Sequence, residues 1–318
     1  MVSYRYKQQK LSTIQRGFRM IYTVTFNPAL DLVVCADTIR AGGINKLRDE
    51  KIFPGGKGIN VSLVLAQLGI RSKALGFAAG FTGEEIIRRL SEAGIETDFV
   101  RLKSGFSRIN MKLRADEETE FNGLGPDIGA DELSELFRKL DELKDNDTLV
   151  LAGSIPSSLP SDIYEKILAQ LSGRNIRTVV DASNDLLLNV LKYRPFLVKP
   201  NNIELGDMFG TVLETTGQIA EHAEKLRQMG ARNVLVSMAG DGALLIDENG
   251  TLHRCGVCRG EVKNSVGAGD SMVAGFIAGC EKDFDYALKL GTACGGATAF
   301  SEGLAEKSDI DRLLAELI

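Results

Sequence analysis

From Met20 onward, short apolar runs alternate with segments whose apolar residues recur at helical spacing, and this rhythm narrows the folds open to the chain more than any other feature. It is the pattern of a mostly parallel sheet covered by helices. Residues 21–26, 73–77, 148–152, 178–181, 196–199 and 233–237 read as its strands. In open α/β sheets ligands bind beyond the carboxyl ends of the strands. That places Asn27, Gly153, Ser154, Asn201 and Gly240 where chemistry is expected.

Two segments break the rhythm, residues 32–53 and 99–121. In the second, Arg108-Ile-Asn-Met-Lys-Leu-Arg114 alternates like a strand and residues 115–118 resemble a hairpin turn. The segments read either as ordinary edge strands or, paired together, as a small sheet that covers the site and excludes water.

Composition excludes more than it selects. The 318 residues are 44% hydrophobic and 25% charged, ordinary values for a globular chain of one large domain or two smaller ones. Five of the 38 basic residues (Arg5, Lys7, Lys10, Arg16, Arg19) lie in the first 19 positions, which hold no acid, so the remainder sets 33 bases against 43 acids. Such a body offers no general field for nucleic acid, and an anionic ligand must be held by local cations and amides. The basic opening lacks the apolar core of a signal peptide, and no later run has the roughly 20 apolar residues of a membrane span. Residues 1–19 are therefore expected to be a disordered tail or an unused upstream start. The five cysteines are odd in number and scattered, which suits a reducing cytoplasm, and Cys255-Gly-Val-Cys258 has no second pair to complete a zinc site.

The strongest local motif is Asn264-Ser-Val-Gly-Ala-Gly-Asp270, leading into a run rich in small residues. Gly267, Ala268 and Gly269 at a helix start would let backbone amides approach an oxyanion, with the helix dipole adding to the attraction. Asp270 could there accept a proton from a hydroxyl attacking phosphorus. It could equally be a helix cap. A second cluster, Phe53-Pro-Gly-Gly-Lys-Gly-Ile-Asn60, lacks the Gly-Lys-Ser/Thr of a phosphate loop because Gly58 follows Lys57. Gly55, Gly56, Lys57 and Asn60 suit close contact with a polyhydroxy anion, or else a tight strand-to-helix turn. In Lys199-Pro-Asn-Asn-Ile-Glu204, Asn201 and Glu204 share a helix face, and Glu204 either organises Mg²⁺ through water or caps the helix. Residues 237–242 alone suggest only a hairpin. A Rossmann dinucleotide site is excluded because Asn27-Pro28, not Gly-x-Gly-x-x-Gly, follows the first strand.

These four clusters, in this order, resemble the ribokinase-like (PfkB) family of carbohydrate kinases over nearly all of residues 20–318. The resemblance implies a three-layer α/β/α fold with a central, mostly parallel sheet and a small β-sheet lid, here from residues 32–53 and 99–121. It implies Asp270 as catalytic base with Gly267, Ala268 and Gly269 as anion hole. ATP and Mg²⁺ would be served by Lys199, Asn201 and Glu204, with Ser237, Gly240, Asp241, Gly242, Gly267 and Gly269 bordering the nucleotide. The sugar would meet Asp31, Gly55, Gly56, Lys57, Asn60, Asn110, Ser154 and Asp270.

Within the family, Thr25-Phe-Asn-Pro-Ala-Leu-Asp31 and Ser107-Arg-Ile-Asn110 are most similar to the bacterial 1-phosphofructokinase group, then to tagatose-6-phosphate kinases. Arg108 can hold a phosphate bidentately. Ser107 departs from the threonine usual there. The resemblance thus implies phosphoryl transfer from MgATP to fructose 1-phosphate in the cytoplasm, by a homodimer joined through the lid. A non-catalytic sugar-phosphate sensor on the same fold is the rival class.

Overall fold

A computed structural model describes residues 20–182 and 184–318, so the basic opening lies outside the described residues. In chain order the strands are β1 (Ile21–Thr25), β2 (Ala29–Cys35), β3 (Asp49–Gly55), β4 (Ser72–Ala78), β5 (Glu96–Thr97), β6 (Val100–Arg101), β7 (Arg108–Arg114), β8 (Glu118–Asn122), β9 (Thr148–Ala152), β10 (Arg177–Asp181), β11 (Leu197–Val198), β12 (Asn233–Ser237), β13 (Ala243–Ile246) and β14 (Leu252–Cys255). Ten of them form one sheet in the order β14-β13-β12-β11-β10-β9-β1-β4-β5, with β6 also pairing β4. Pairing is parallel from β12 across to β5 and antiparallel only through β13 and β14.

Both faces of this sheet are covered, and the period-2 geometry of a strand explains how one apolar run feeds two cores. Leu149 and Leu151 of β9 pack with Leu136, Ile163 and Tyr164 on one side. Val150, between them, joins Ile21, Val179, Val273 and Phe276 on the other. Each fully buried side chain of this kind contributes about 1.5–3 kcal/mol. The expected strand at 196–199 shortens to Leu197–Val198, because Pro200 has no amide to continue the ladder.

On the second face the helices Ala268–Gly279 and Phe284–Ala299 lie unusually close. A Cβ on Gly275 would sit 2.6 Å from the Leu290 carbonyl oxygen, and one on Gly279 would sit 2.6 Å from Ala287 Cα. The small residues after Asp270 thus set how deep the start of that helix sits against the sheet.

The other four strands form a separate sheet in the order β3-β2-β7-β8, with β2 and β7 parallel. Its register puts Phe53, Asp31, Asn110 and Asn122 in one row and Ile52, Leu32, Met111 and Phe121 in the next. Adjacent rows face opposite ways. The first row turns toward the main domain, while Ile52 and Phe121 of the second are 41% and 53% exposed. Within the segment 99–121, Val100–Arg101 does not join this sheet but pairs with β4 at the edge of the large one.

Candidate active site

Glycines let the first helix of the site sit directly on the end of β1. Gly56 has φ 122°, and a Cβ on Gly58 would lie 2.6 Å from Thr25 Oγ1 and 2.8 Å from the Val24 carbonyl oxygen. Thr25 Oγ1 accepts the Ile59 amide at 3.1 Å, fixing the start of the helix Lys57–Gln67. Asn60, one turn in, donates from Nδ2 to Asp270 Oδ2 at 2.8 Å.

Asp270 occupies the first turn of the helix Ala268–Gly279, whose N-cap Gly267 has φ 82° and makes no side-chain cap. The carboxyl bonds Asn60 across the cleft, so no capping bond of Asp270 to its own helix is seen among the described residues. The Ala268 amide is engaged by the Ser265 carbonyl at 3.2 Å. The Gly267, Gly269 and Asp270 amides have no such partner among the described residues, so they are free to meet an anion. Burial pushes the Asp270 pKa up to about 6, and the nearby Asp181 carboxylate adds to the rise, against Lys57, the Asn60 hydrogen bond and Lys199.

Asp181, the last residue of β10, was read from the sequence only as a strand end. It is 2% exposed, and its Oδ1 lies 3.5 Å from both Lys57 Nζ and Lys199 Nζ. Burial opposes its ionisation, but the two ammonium groups outweigh that and hold its pKa below the usual carboxylate value. The signal available in the sequence was an acid closing an otherwise apolar parallel strand at its carboxyl end.

Under the small sheet, Asp31 Oδ1 accepts Asn110 Nδ2 at 2.8 Å, and its Oδ2 lies 3.3 Å from Lys112 Nζ. Lys112, also overlooked in the sequence, is 7% exposed and holds Asp31 from behind. Gly55 is close enough that a Cβ there would fall 2.7 Å from the Asp31 carboxylate. Arg108 donates from Nε to the Asn27 carbonyl at 3.1 Å and has no carboxylate partner among the described residues. Burial therefore lowers its pKa, with Asp31 opposing. Arg108, Lys57, Ser154, Asn27 and Gly56 line a cavity of about 310 Å³. A neighbouring cavity of about 430 Å³, lined by Asp31, Asn60, Lys112 and Asn264 among others, runs under the small sheet. Ser107 is buried and accepts the Ala79 amide, a structural position.

On the opposite side, Asn201 and Glu204 form a reciprocal capping box on the helix Asn202–Met208. Asn201 Oδ1 accepts the Glu204 amide and Glu204 Oε2 accepts the Asn201 amide, each at 2.8 Å. Ser237 bridges to Asn201 in parallel. Lys199 is 5% exposed and approaches the second helix start, its Nζ being 3.0 Å from where a Gly269 Cβ would stand. Gly240 and Asp241 lie on an exposed turn, and no hydrogen bond or ion pair joins them to this cluster among the described residues. Gly242, at φ 85°, packs so closely that an added Cβ would collide with the Cys255 carbonyl oxygen. Cys255 and Cys258 are buried, and burial pushes the Cys258 thiol up to about 11.

A buried carboxyl group, helix-start amides without partners and two lysines thus meet in a cleft of an α/β fold, beside two cavities. The model of the pfkB family of carbohydrate kinases matches residues 24–311, and the chain belongs to that family. A 1-phosphofructokinase of Bacillus subtilis is 47% identical over 300 residues, covering 94% of this chain and 98% of that protein. A D-tagatose-1-phosphate kinase of Bacillus licheniformis is 36% identical over 303 residues, covering 94% and 98%. The crystal structure of phosphofructokinase-2 from Escherichia coli in complex with substrates and products superposes with a TM-score of 0.87 at 28% identity, covering 94% of this chain and 99% of that one. The fold is ribokinase-like.

Proposed function

We propose that this chain transfers the γ-phosphoryl group of MgATP to the C6 hydroxyl of fructose 1-phosphate, giving fructose 1,6-bisphosphate and ADP. One observation carries the reading: Asp270, raised to about 6 and oriented by Asn60, stands at a helix start whose amides are free to meet an anion. A carboxylate of that basicity is ionised at neutral pH yet basic enough to take the proton of an attacking hydroxyl. The Gly269 and Asp270 amides, with Lys199, lie where charge on the transferring group needs stabilising.

Arg108 supports the substrate's phosphate in the same way. A half-buried guanidinium with only a carbonyl partner lacks the anion its fork geometry suits. In this reading Arg108, Lys57 and Ser154 receive the C1 phosphate, and Asp31, held by Asn110 and Lys112, accepts sugar hydroxyls. The small sheet closes over the sugar and keeps water out.

The Asn201 amide takes only Oε2 of Glu204, and the remaining carboxylate oxygen suits a magnesium hydration shell. When bound, Mg²⁺ neutralises charge on the nucleotide phosphates. Asn201, Lys199 and Ser237 border that region.

The same proposal includes a second copy covering the outer face of the small sheet, where Ile52, Phe121 and the 39% exposed Ile109 lie. It also places the protein in the cytoplasm. All five cysteines are unpaired, and among the described residues no helix is long and apolar enough to cross a membrane.

Tagatose 1-phosphate is the second reading, because a kinase for it is among the relatives. That sugar differs from fructose 1-phosphate only at C4, so phosphate and accepting hydroxyl keep their places. The intact Asp270 and Glu204 argue against a sensor that has lost its chemistry. The test is ADP release from MgATP with fructose 1-phosphate, tagatose 1-phosphate, tagatose 6-phosphate, fructose 6-phosphate and ribose offered separately. Highest kcat/KM for fructose 1-phosphate supports the proposal, preference for tagatose 1-phosphate moves it to the second reading, and no turnover on any sugar overturns it.

A further inference from the structure

Three charged side chains from three different elements meet beneath the cleft, and the one at their centre has no role in the reaction described so far. Asp181 ends β10, Lys57 opens the helix after β3, and Lys199 follows β11. Asp181 Oδ1 is 3.5 Å from each ammonium nitrogen, and its Oδ2 is buried with no hydrogen-bond partner among the described residues. The carboxylate therefore spends one oxygen on two cations rather than pairing fully with one.

The two lysines look to opposite ends of the reaction. Lys57 lines the cavity with Arg108 and Ser154. Lys199 reaches the other helix start, its Nζ lying 3.0 Å from where a Gly269 Cβ would stand. Two like charges drawn to one point repel, and Lys199 at 5% exposure lacks water to screen it. A single buried anion between them removes both problems.

We propose that Asp181 is a positioning residue, a shared anchor that holds Lys57 for the sugar phosphate and Lys199 for the nucleotide phosphates and so couples the two subsites. This rests on the reading of the site given above. Its placement has an electrostatic corollary, because Asp181 is also the like-charged neighbour of Asp270, facing it from β10 while Lys57, Lys199 and Asn60 face it from the other elements. Removing that negative charge favours the ionised form of Asp270.

The test uses the whole chain with Asp181→Asn, which keeps shape and removes charge. Calorimetry measures binding of fructose 1-phosphate and of MgADP, and kcat/KM is followed against pH. Both ligands are expected to weaken by on the order of 10-fold, and the acid limb of the profile is expected to move to lower pH. If Asp181→Asn does not fold, Asp181→Ser, which leaves room for water between the amines, is held to the same readouts. Weakening of one ligand alone, or a lower melting temperature with affinities and acid limb unchanged, would overturn the shared anchor and leave the proposed reaction standing. A wild-type chain that binds neither ligand would overturn both.

Discussion

Asn60 and Asp270, 210 residues apart in sequence, meet at 2.8 Å across the cleft, one from the first turn of each glycine-opened helix. The bond fixes the carboxyl oxygen that faces the helix Lys57–Gln67 and leaves the other free to receive a proton. It also favours the ionised form, partly offsetting burial and the Asp181 charge.

A pH profile follows from that balance. As the proposed base, Asp270 would act only when ionised, so kcat/KM for the sugar phosphate should rise from acid toward neutrality with a midpoint near the Asp270 pKa of about 6. Asn60→Ala removes a donor to the carboxylate, and the midpoint should move to higher pH. A midpoint that stays put in Asn60→Ala would mean that this bond does not tune the base.

Stability should respond in the opposite sense to activity. The folded pKa of Asp270 lies above its ordinary value of 3.8, so the native state binds the proton more tightly and stability is lost as pH rises from 3.8 through about 6. Asn carries no such loss. Ligand-free Asp270→Asn should therefore melt higher than the wild type at pH 8, by roughly 2–4 °C for each kcal/mol, with the gap shrinking at pH 4. Equal melting temperatures at both pH values would contradict the raised pKa.

Arg108→Ala should raise KM for the sugar phosphate on the order of 10²-fold while the KM for MgATP stays within about twofold. Arg108→Lys should recover only part of this, since an ammonium cannot reproduce the two-pronged contact. Steady-state kinetics with each substrate varied in turn decides it, and an equal rise in both KM values would remove Arg108 from the phosphate pocket.

Gly55→Ala tests the sugar side without touching a charge. The added Cβ would fall 2.7 Å from the Asp31 carboxylate, so Asp31 must shift from Asn110 and Lys112 or the strand must move. A loss of roughly 10-fold or more in kcat/KM for the sugar phosphate is expected, read against an unchanged far-ultraviolet spectrum. Wild-type kinetics would show that Asp31 does not contact the sugar.

Much of the fold was legible because its strands are buried on both faces and read as uninterrupted apolar runs, as in Thr148–Ala152 and Asn233–Ser237. The short strands Glu96–Thr97 and Val100–Arg101 were not, since two residues carry no period. In the site, glycine strings before an Asn or an Asp marked the two helix starts. Asp181 and Lys112 escaped notice because each acts through a partner far away in sequence: Asp181 on Lys57, and Lys112 on Asp31. Glu204 shows the converse, a residue whose capping role is visible in the structure.

The most direct test of the central claim is turnover by Asp270→Asn with MgATP and fructose 1-phosphate, alongside calorimetric binding of each substrate. The account predicts a fall in kcat on the order of 10² to 10⁴ with both substrates still bound. Turnover near that of the wild type would contradict it.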